Sequence, residues 1–184
     1  ICVLAASLLS LQVPFLPVHL LFINLVTDSL PAIAIGMERS TKDILKEKPR
    51  DPSVGILTPA TMKQLGIQGI LIAIATMSAY FLGLKESWAI ATTMAFSTLC
   101  LSRLFHGFNC RSQRSLYRIG LFTNKYSILA FVIGFCFLNA ILLWQPLHSL
   151  FSVTTITMTQ LFTIYGLALI PTALIQLGRM LRHR

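Results

Sequence analysis

The sequence predicts an all-α integral membrane protein, a bundle of about five transmembrane helices plus the tail of a sixth. Three observations predict it. Of 184 residues, 55% are hydrophobic and only 11% are charged, whereas a soluble domain is about a quarter charged. Mean hydropathy is +0.74, which leaves no room for a large soluble domain. The charges are also segregated, lying between apolar runs rather than on one face. The net charge of +9 therefore reads as membrane topology, and nucleic acid is not expected as a partner.

A helix crossing a hydrocarbon core of about 30 Å needs roughly 20 apolar residues. Residues 1–12 are the tail of one helix, ended at "VPFLP", where Pro14 and Pro17 mark a turn. Five spans follow, at about 18–36, 64–84, 87–109, 125–144 and 154–178. Residues 66–84, 126–147 and 149–178 contain no charge, and 87–109 contain one, Arg103. The connection at Lys85 and Glu86 is so short that the spans on either side must form a hairpin. Pro171 is expected to bend the last span. Gly69 and Ala73, four apart and three residues beyond Gly66, would permit close helix packing.

All but two of the 15 Lys and Arg residues fall in three segments. Arg39, Lys42, Lys46, Lys48, Arg50 and Lys63 lie in the loop 37–63. Arg111, Arg114, Arg118 and Lys125 lie in or beside 110–124, and Arg179, Arg182 and Arg184 in 179–184. The exceptions are Lys85 and Arg103. The positive-inside tendency places the three segments, and the C-terminus, in the cytoplasm. The terminal "RMLRHR" reads as an interface anchor or a partner-binding tail. Cys2, Cys100, Cys110 and Cys136 show no ligand spacing and read as small apolar residues. No signal peptide is expected in these residues, and the chain opens at Ile1 inside an apolar run, which predicts a piece of something longer.

The stretch "NLVTDSLPA", Asn24 to Ala32, puts an amide, a hydroxyl and a carboxylate inside a span. Asn24, Thr27 and Asp28 are spaced i, i+3, i+4, one face of a regular helix. An Asp at that depth costs a few kcal/mol and usually marks an ion path or a buried pair. Pro31 has no N–H, so the carbonyl of Thr27 loses its helical partner and a helix break is expected. Broken helices are where transporters offer backbone carbonyls to cations. The oxygen set suits Ca²⁺, or Na⁺ with fewer ligands, better than Zn²⁺ or Cu²⁺. The competing reading is a polar patch that joins helices. Arg103 either pairs with Asp28, the one acid inside a span, or snorkels to the cytoplasmic interface. His19 and His106, near span ends, read as interfacial polar residues.

"PVHLLFINLVTDSLPAIAIGMERSTKDILKEKPRDP" resembles the sixth transmembrane helix and following loop of type II P-type ATPases, most closely the sarcoplasmic-reticulum-type and bacterial calcium-transporting pumps. That helix carries N-L-V-T-D-G/S-L-P-A, and the loop a D-I-M/L-x-x-x-P-R-x-P pattern, here Asp43, Ile44, Leu45, Pro49, Arg50 and Pro52. "TMAFSTLCLSRLFHGFN" (93–109) is similar to the eighth helix. The resemblance covers essentially the whole chain, from the end of the fifth helix to the tenth, the last two spans mainly by hydropathy. It implies part of a ten-helix transport domain. The parent would be an ATP-driven pump exporting Ca²⁺ from the cytoplasm with proton counter-transport, in a bacterial plasma membrane. Asn24, Thr27 and Asp28 match its calcium-coordinating side chains. Arg103 stands where the two-calcium pumps have a Glu, which implies one Ca²⁺ per cycle.

The family's phosphorylated Asp lies in D-K-T-G, a motif that does not occur in these residues. ATP and Mg²⁺ would bind only in domains outside this stretch, which alone is not expected to be catalytic. The implied partners are the lipid bilayer and the N-terminal helices and cytoplasmic domains of the same pump, which loop 37–65 would face. Three rival readings stand: a type II pump for Mn²⁺, Na⁺ or H⁺; an ATP-independent carrier, against which no inverted counterpart of "NLVTDSLPA" is found; and a non-catalytic truncated membrane module.

Overall fold

Five helices are long and apolar enough to cross a membrane, and each starts on a local signal. The computed structural model describes residues 1–38, 57–112, 116 and 120–182. Asp43, Ile44, Leu45, Pro49, Arg50 and Pro52 of the loop pattern lie outside the described residues, as do Arg114, Arg118 and Arg184. Helix α1 (Cys2–Leu8) precedes the first span, made of α2 (Pro17–Phe22), a π-helical stretch (Ile23–Asp28) and α3 (Ser29–Gly36). The other spans are α4 (Pro59–Leu84), α5 (Trp88–Cys110), α6 (Lys125–Leu143) and, after a short α7 (His148–Phe151), α8 (Met158–Arg182). No strand occurs among the described residues.

The starts follow capping chemistry. The Thr58 hydroxyl accepts from the Thr61 N–H before Pro59 opens α4, and the Ser87 hydroxyl accepts from the Ile90 N–H at α5. The Asn124 side-chain Oδ1 accepts from the Tyr126 and Ser127 N–H groups at α6. At α8, Thr157 and Gln160 bond reciprocally, side chain to backbone, at 2.7 and 3.3 Å.

Helix α5 is the centre of the bundle. It packs on α4, α6, α8 and the first span, and Ala91, Ala95, Phe96, Leu101 and Leu104 along it are buried. It is also the least hydropathic span. Thr92, Thr93, Ser97, Thr98 and Ser102 are buried in it, and small hydroxyl side chains let helices approach closely in a bilayer.

Close packing comes from glycines other than the expected ones. A Cβ on Gly66 would meet nothing within 4 Å, and one on Gly69 only Ile1 at 3.8 Å. A Cβ on Gly83 would lie 2.5 Å from Ala91 Cα, at the tip of the α4–α5 hairpin, and one on Gly134 would lie 2.7 Å from a Leu104 methyl. The i, i+4 spacing of Gly69 and Ala73 says nothing about which way that face turns, and Gly69 turns to the margin of the bundle. Gly83→Ala in the full-length protein is therefore expected to cost about 1–3 kcal/mol. The check is a lower thermal midpoint in detergent than for Gly66→Ala, which should be near neutral.

His19, expected at an interface, is fully buried. Its ring stacks on Phe96 with centroids 4.4 Å apart. Nδ1 accepts from the Leu16 N–H at 3.2 Å, so Nε2 donates to the Phe151 carbonyl at 3.0 Å. The turn at Pro14 and Pro17 folds the ring inward, where it ties two extramembrane connections together. At the other membrane face Arg179 donates to the Asn109 and Ser112 carbonyls at 2.8 and 2.7 Å. It thus caps the C-terminal end of α5, where backbone carbonyls lack helical partners.

Candidate functional site

The chain does not break at Pro31. Helix continues through it to Gly36, and the irregularity lies upstream, in the π-helical residues Ile23–Asp28. A proline ring crowds the carbonyl four residues before it, here that of Thr27. A wider turn just upstream relieves that clash, one of the local adjustments by which membrane helices tolerate proline. Two side chains stitch the wide turn: the Thr27 hydroxyl donates to the Ile23 carbonyl at 2.9 Å, and the Ser29 hydroxyl to the Asn24 carbonyl at 2.8 Å. π-Turns inside helices occur frequently at functional sites.

The wide turn also changes which way the motif residues face. With hydrogen bonds spanning five residues, positions three apart no longer share a face. Asn24 is exposed and Asp28 partly so, but Thr27 is turned inward and is 2% exposed. Thr27 therefore does not share an exposed face with Asn24 and Asp28.

Arg103, two turns before the C-terminal end of α5, does not reach for the interface. Its Nη1 donates to Asp28 Oδ2, an ion pair inside the membrane-spanning part. Both side chains keep more than a third of their surface, Arg103 38% and Asp28 43%. The carboxylate therefore retains an open side. About one turn further on, Gly107 of α5 lies against Pro31, where a Cβ would come within 3.3 Å of the proline ring.

A second ion pair, Glu38 with Arg111, joins the same two spans just beyond their C-terminal ends. The sequence reading counted Arg111 only as a topological charge and passed over Glu38. The available signal was weak: an acid directly after one span and a base directly after another.

Among the described residues, no three His, Cys, Asp or Glu side chains come together as a metal-holding group. The described oxygens near Asp28 are its own carboxylate and the wide turn's hydroxyls and carbonyls. Chemically, a partly exposed carboxylate paired with a guanidinium can exchange that partner for a hard cation.

Comparison with known proteins bears on its role. The family model described as "Cation transporting ATPase, C-terminus" matches residues 12–181. A calcium-transporting ATPase of Bacillus subtilis is 36% identical over 175 residues, covering 94% of this chain and 20% of the relative. One of Listeria monocytogenes is 43% identical over 136 residues, covering 73% and 16%. The human calcium-transporting ATPase type 2C member 1 is 26% identical over 168 residues, covering 88% and 18%. The chain spans about a fifth of the length of the curated relatives it matches.

Proposed function

Because the chain belongs to the cation-transporting ATPases, as an integral membrane part from their C-terminal region, we propose that it is half of the ion path of an ATP-driven Ca²⁺ pump. The parent pump exports Ca²⁺ from the cytoplasm of a bacterium across its plasma membrane, with the C-terminus of this chain inside. ATP and Mg²⁺ act in the cytoplasmic domains that precede it. Helices from the same preceding region supply the remaining ion ligands and cover the open side of Asp28.

The observation that carries this reading is the Asp28–Arg103 pair at the π-turn. Asp28 is the carboxylate that takes the ion, with Asn24 beside it and the Thr27 hydroxyl oxygen behind. Arg103 holds the place of the acid with which, by the resemblance, two-calcium pumps form their second site. A guanidinium carries only donors and cannot coordinate a cation. It neutralises Asp28 when no ion is present, so the pump carries one Ca²⁺ per cycle. Protons return on the carboxylates that lack such a partner, because an emptied carboxylate in a low dielectric takes up a proton.

The test is the ion dependence of ATP hydrolysis by the full-length pump, with Ca²⁺, Mn²⁺, Na⁺ and K⁺ compared. Activation by micromolar Ca²⁺, with one Ca²⁺ bound per phosphorylation site, is the expected result. Activation by another ion instead overturns the substrate, and no ion-activated hydrolysis at all overturns the pump.

A further inference from the structure

The first span and α5 touch at three successive levels. Asp28 meets Arg103, Pro31 meets Gly107, and Glu38 meets Arg111. The outer two levels lie about 12–15 Å apart along the helix axes, from eight residues on α5 and ten on the other chain segment at 1.5 Å each. Contact at one level leaves two helices free to slide and turn against each other. Contact at three fixes both.

The lowest level is built most firmly. Arg111 grips Glu38 with a two-pronged fork, Nε to Oε2 and Nη2 to Oε1, each 2.9 Å. This is the strong, directional form of the ion pair. The Arg111 side chain is fully buried. It also donates to the Thr123 hydroxyl at 2.6 Å and the Gly120 carbonyl at 3.4 Å. Asn124, 4% exposed, donates to Glu38 Oε2 at 2.6 Å and to the Ala34 carbonyl at 3.0 Å. Asn124 also caps α6, so one residue ties the start of α6 to the end of α3 and, through Glu38, to Arg111. The Arg111 fork, with the Asn124 amide adding to it and burial opposing, holds the Glu38 carboxyl below the usual range. The clamp is thus charged at neutral pH and is lost only as pH falls through that lowered value.

We propose that this cytoplasmic clamp is a positioning device for ion binding: Glu38, Arg111 and Asn124, with the Pro31–Gly107 contact, set the register that brings Asp28 to Arg103. A slip of one residue would move α5 by 1.5 Å and turn it by about 100°, which separates the pair. The inference rests on the reading of Asp28 as a Ca²⁺ ligand that Arg103 neutralises. In that reading Ca²⁺ must draw Asp28 away from Arg103. A firm clamp therefore makes Ca²⁺ binding weaker than it would be with a loose one.

The test uses the full-length pump at alkaline pH, where protons do not compete, and reads Ca²⁺-dependent phosphorylation from ATP per active site. Glu38→Gln is expected to lower the half-activating Ca²⁺ concentration about five-fold, a coupling of ordinary size. Gly107→Ala, which leaves no buried charge unpaired, is expected to act in the same direction. In an Arg103→Gln background both shifts are expected to vanish, since no pair is left to position. A general structural lesion would lower the yield of active sites without tightening Ca²⁺ activation. Unchanged or weakened activation in both variants overturns the proposal, and so does a shift that persists undiminished without Arg103. Failure of the unmodified pump to respond to Ca²⁺ at all overturns the functional reading instead.

Discussion

Asp28→Asn in the full-length pump is expected to abolish phosphorylation at Ca²⁺ concentrations that saturate the unmodified protein. The substitution keeps the size of the side chain and one carbonyl oxygen and removes only the charge. A unit charge about 4 Å from a monovalent cation is worth about 4 kcal/mol at an effective dielectric of about 20, roughly three decades of affinity. A divalent ion gains more before its desolvation is counted. The single variant also strands Arg103, and an unpaired charge in a membrane span can unfold a protein by itself. Asp28→Asn combined with Arg103→Gln leaves no charge at this level. A double variant that folds, binds ATP and remains unresponsive to Ca²⁺ assigns the loss to the ligand. Recovery of activation at the original Ca²⁺ concentration would show that Asp28 is no ligand.

Replacing Arg103 is expected to change the pH dependence of Ca²⁺ activation more than any other property. In the unmodified pump the guanidinium supplies the counter-charge of empty Asp28, so only the carboxylates without such a partner make half-activating Ca²⁺ depend on pH. In Arg103→Gln the empty carboxylate is neutralised by a proton instead. Protons then compete with Ca²⁺, and the half-activating concentration rises as pH falls, at most about tenfold per pH unit for one displaced proton. At alkaline pH the same variant activates at lower Ca²⁺, because the resident competitor is gone. Arg103→Glu sets two carboxylates side by side, which do not both stay ionised in a low dielectric without a cation. Its profile should be steeper still. The measurement is Ca²⁺ titration of phosphoenzyme at several pH values, with bound Ca²⁺ counted per phosphorylation site. Two Ca²⁺ per site in the unmodified pump, or flat profiles in both variants, would falsify the counter-charge role.

Much of this protein could be read from its sequence, and the spans most of all. A bilayer tests each segment separately for apolar length, so "GILIAIATMSAYFLGL" declares itself without reference to any neighbour. The caps at Thr58, Ser87 and Asn124 are equally local. Asp28 stood out for a related reason, since a carboxylate amid apolar residues is conspicuous whatever surrounds it. Its environment was less legible. Pro31 was a fair signal of helix irregularity, but the wide turn falls upstream, at Ile23–Asp28, and turns Thr27 inward. The chain relieved the proline clash by widening one turn, which costs fewer backbone hydrogen bonds than a break.

Partners were where sequence reasoning stopped. Arg103 could reach either Asp28 or the interface, and its position in a span of 23 residues does not choose between them. Glu38 and Asn124 look like ordinary residues beside a helix end, and their roles exist only where α3, α5 and α6 converge. Hydropathy ranked α5 as the poorest span, yet it is the one the others surround. Apolar content measures how well a helix suits lipid, and a helix enclosed by protein need not suit lipid. The sequence by itself determined which segments are long and apolar enough to enter the membrane, because solvent acts on each segment alone. The tertiary structure decided which side chains meet, because that depends on the rotation and sliding of one helix against another. Those two coordinates are set by close contacts such as Gly83 on Ala91 and Gly107 on Pro31, which no single helix records.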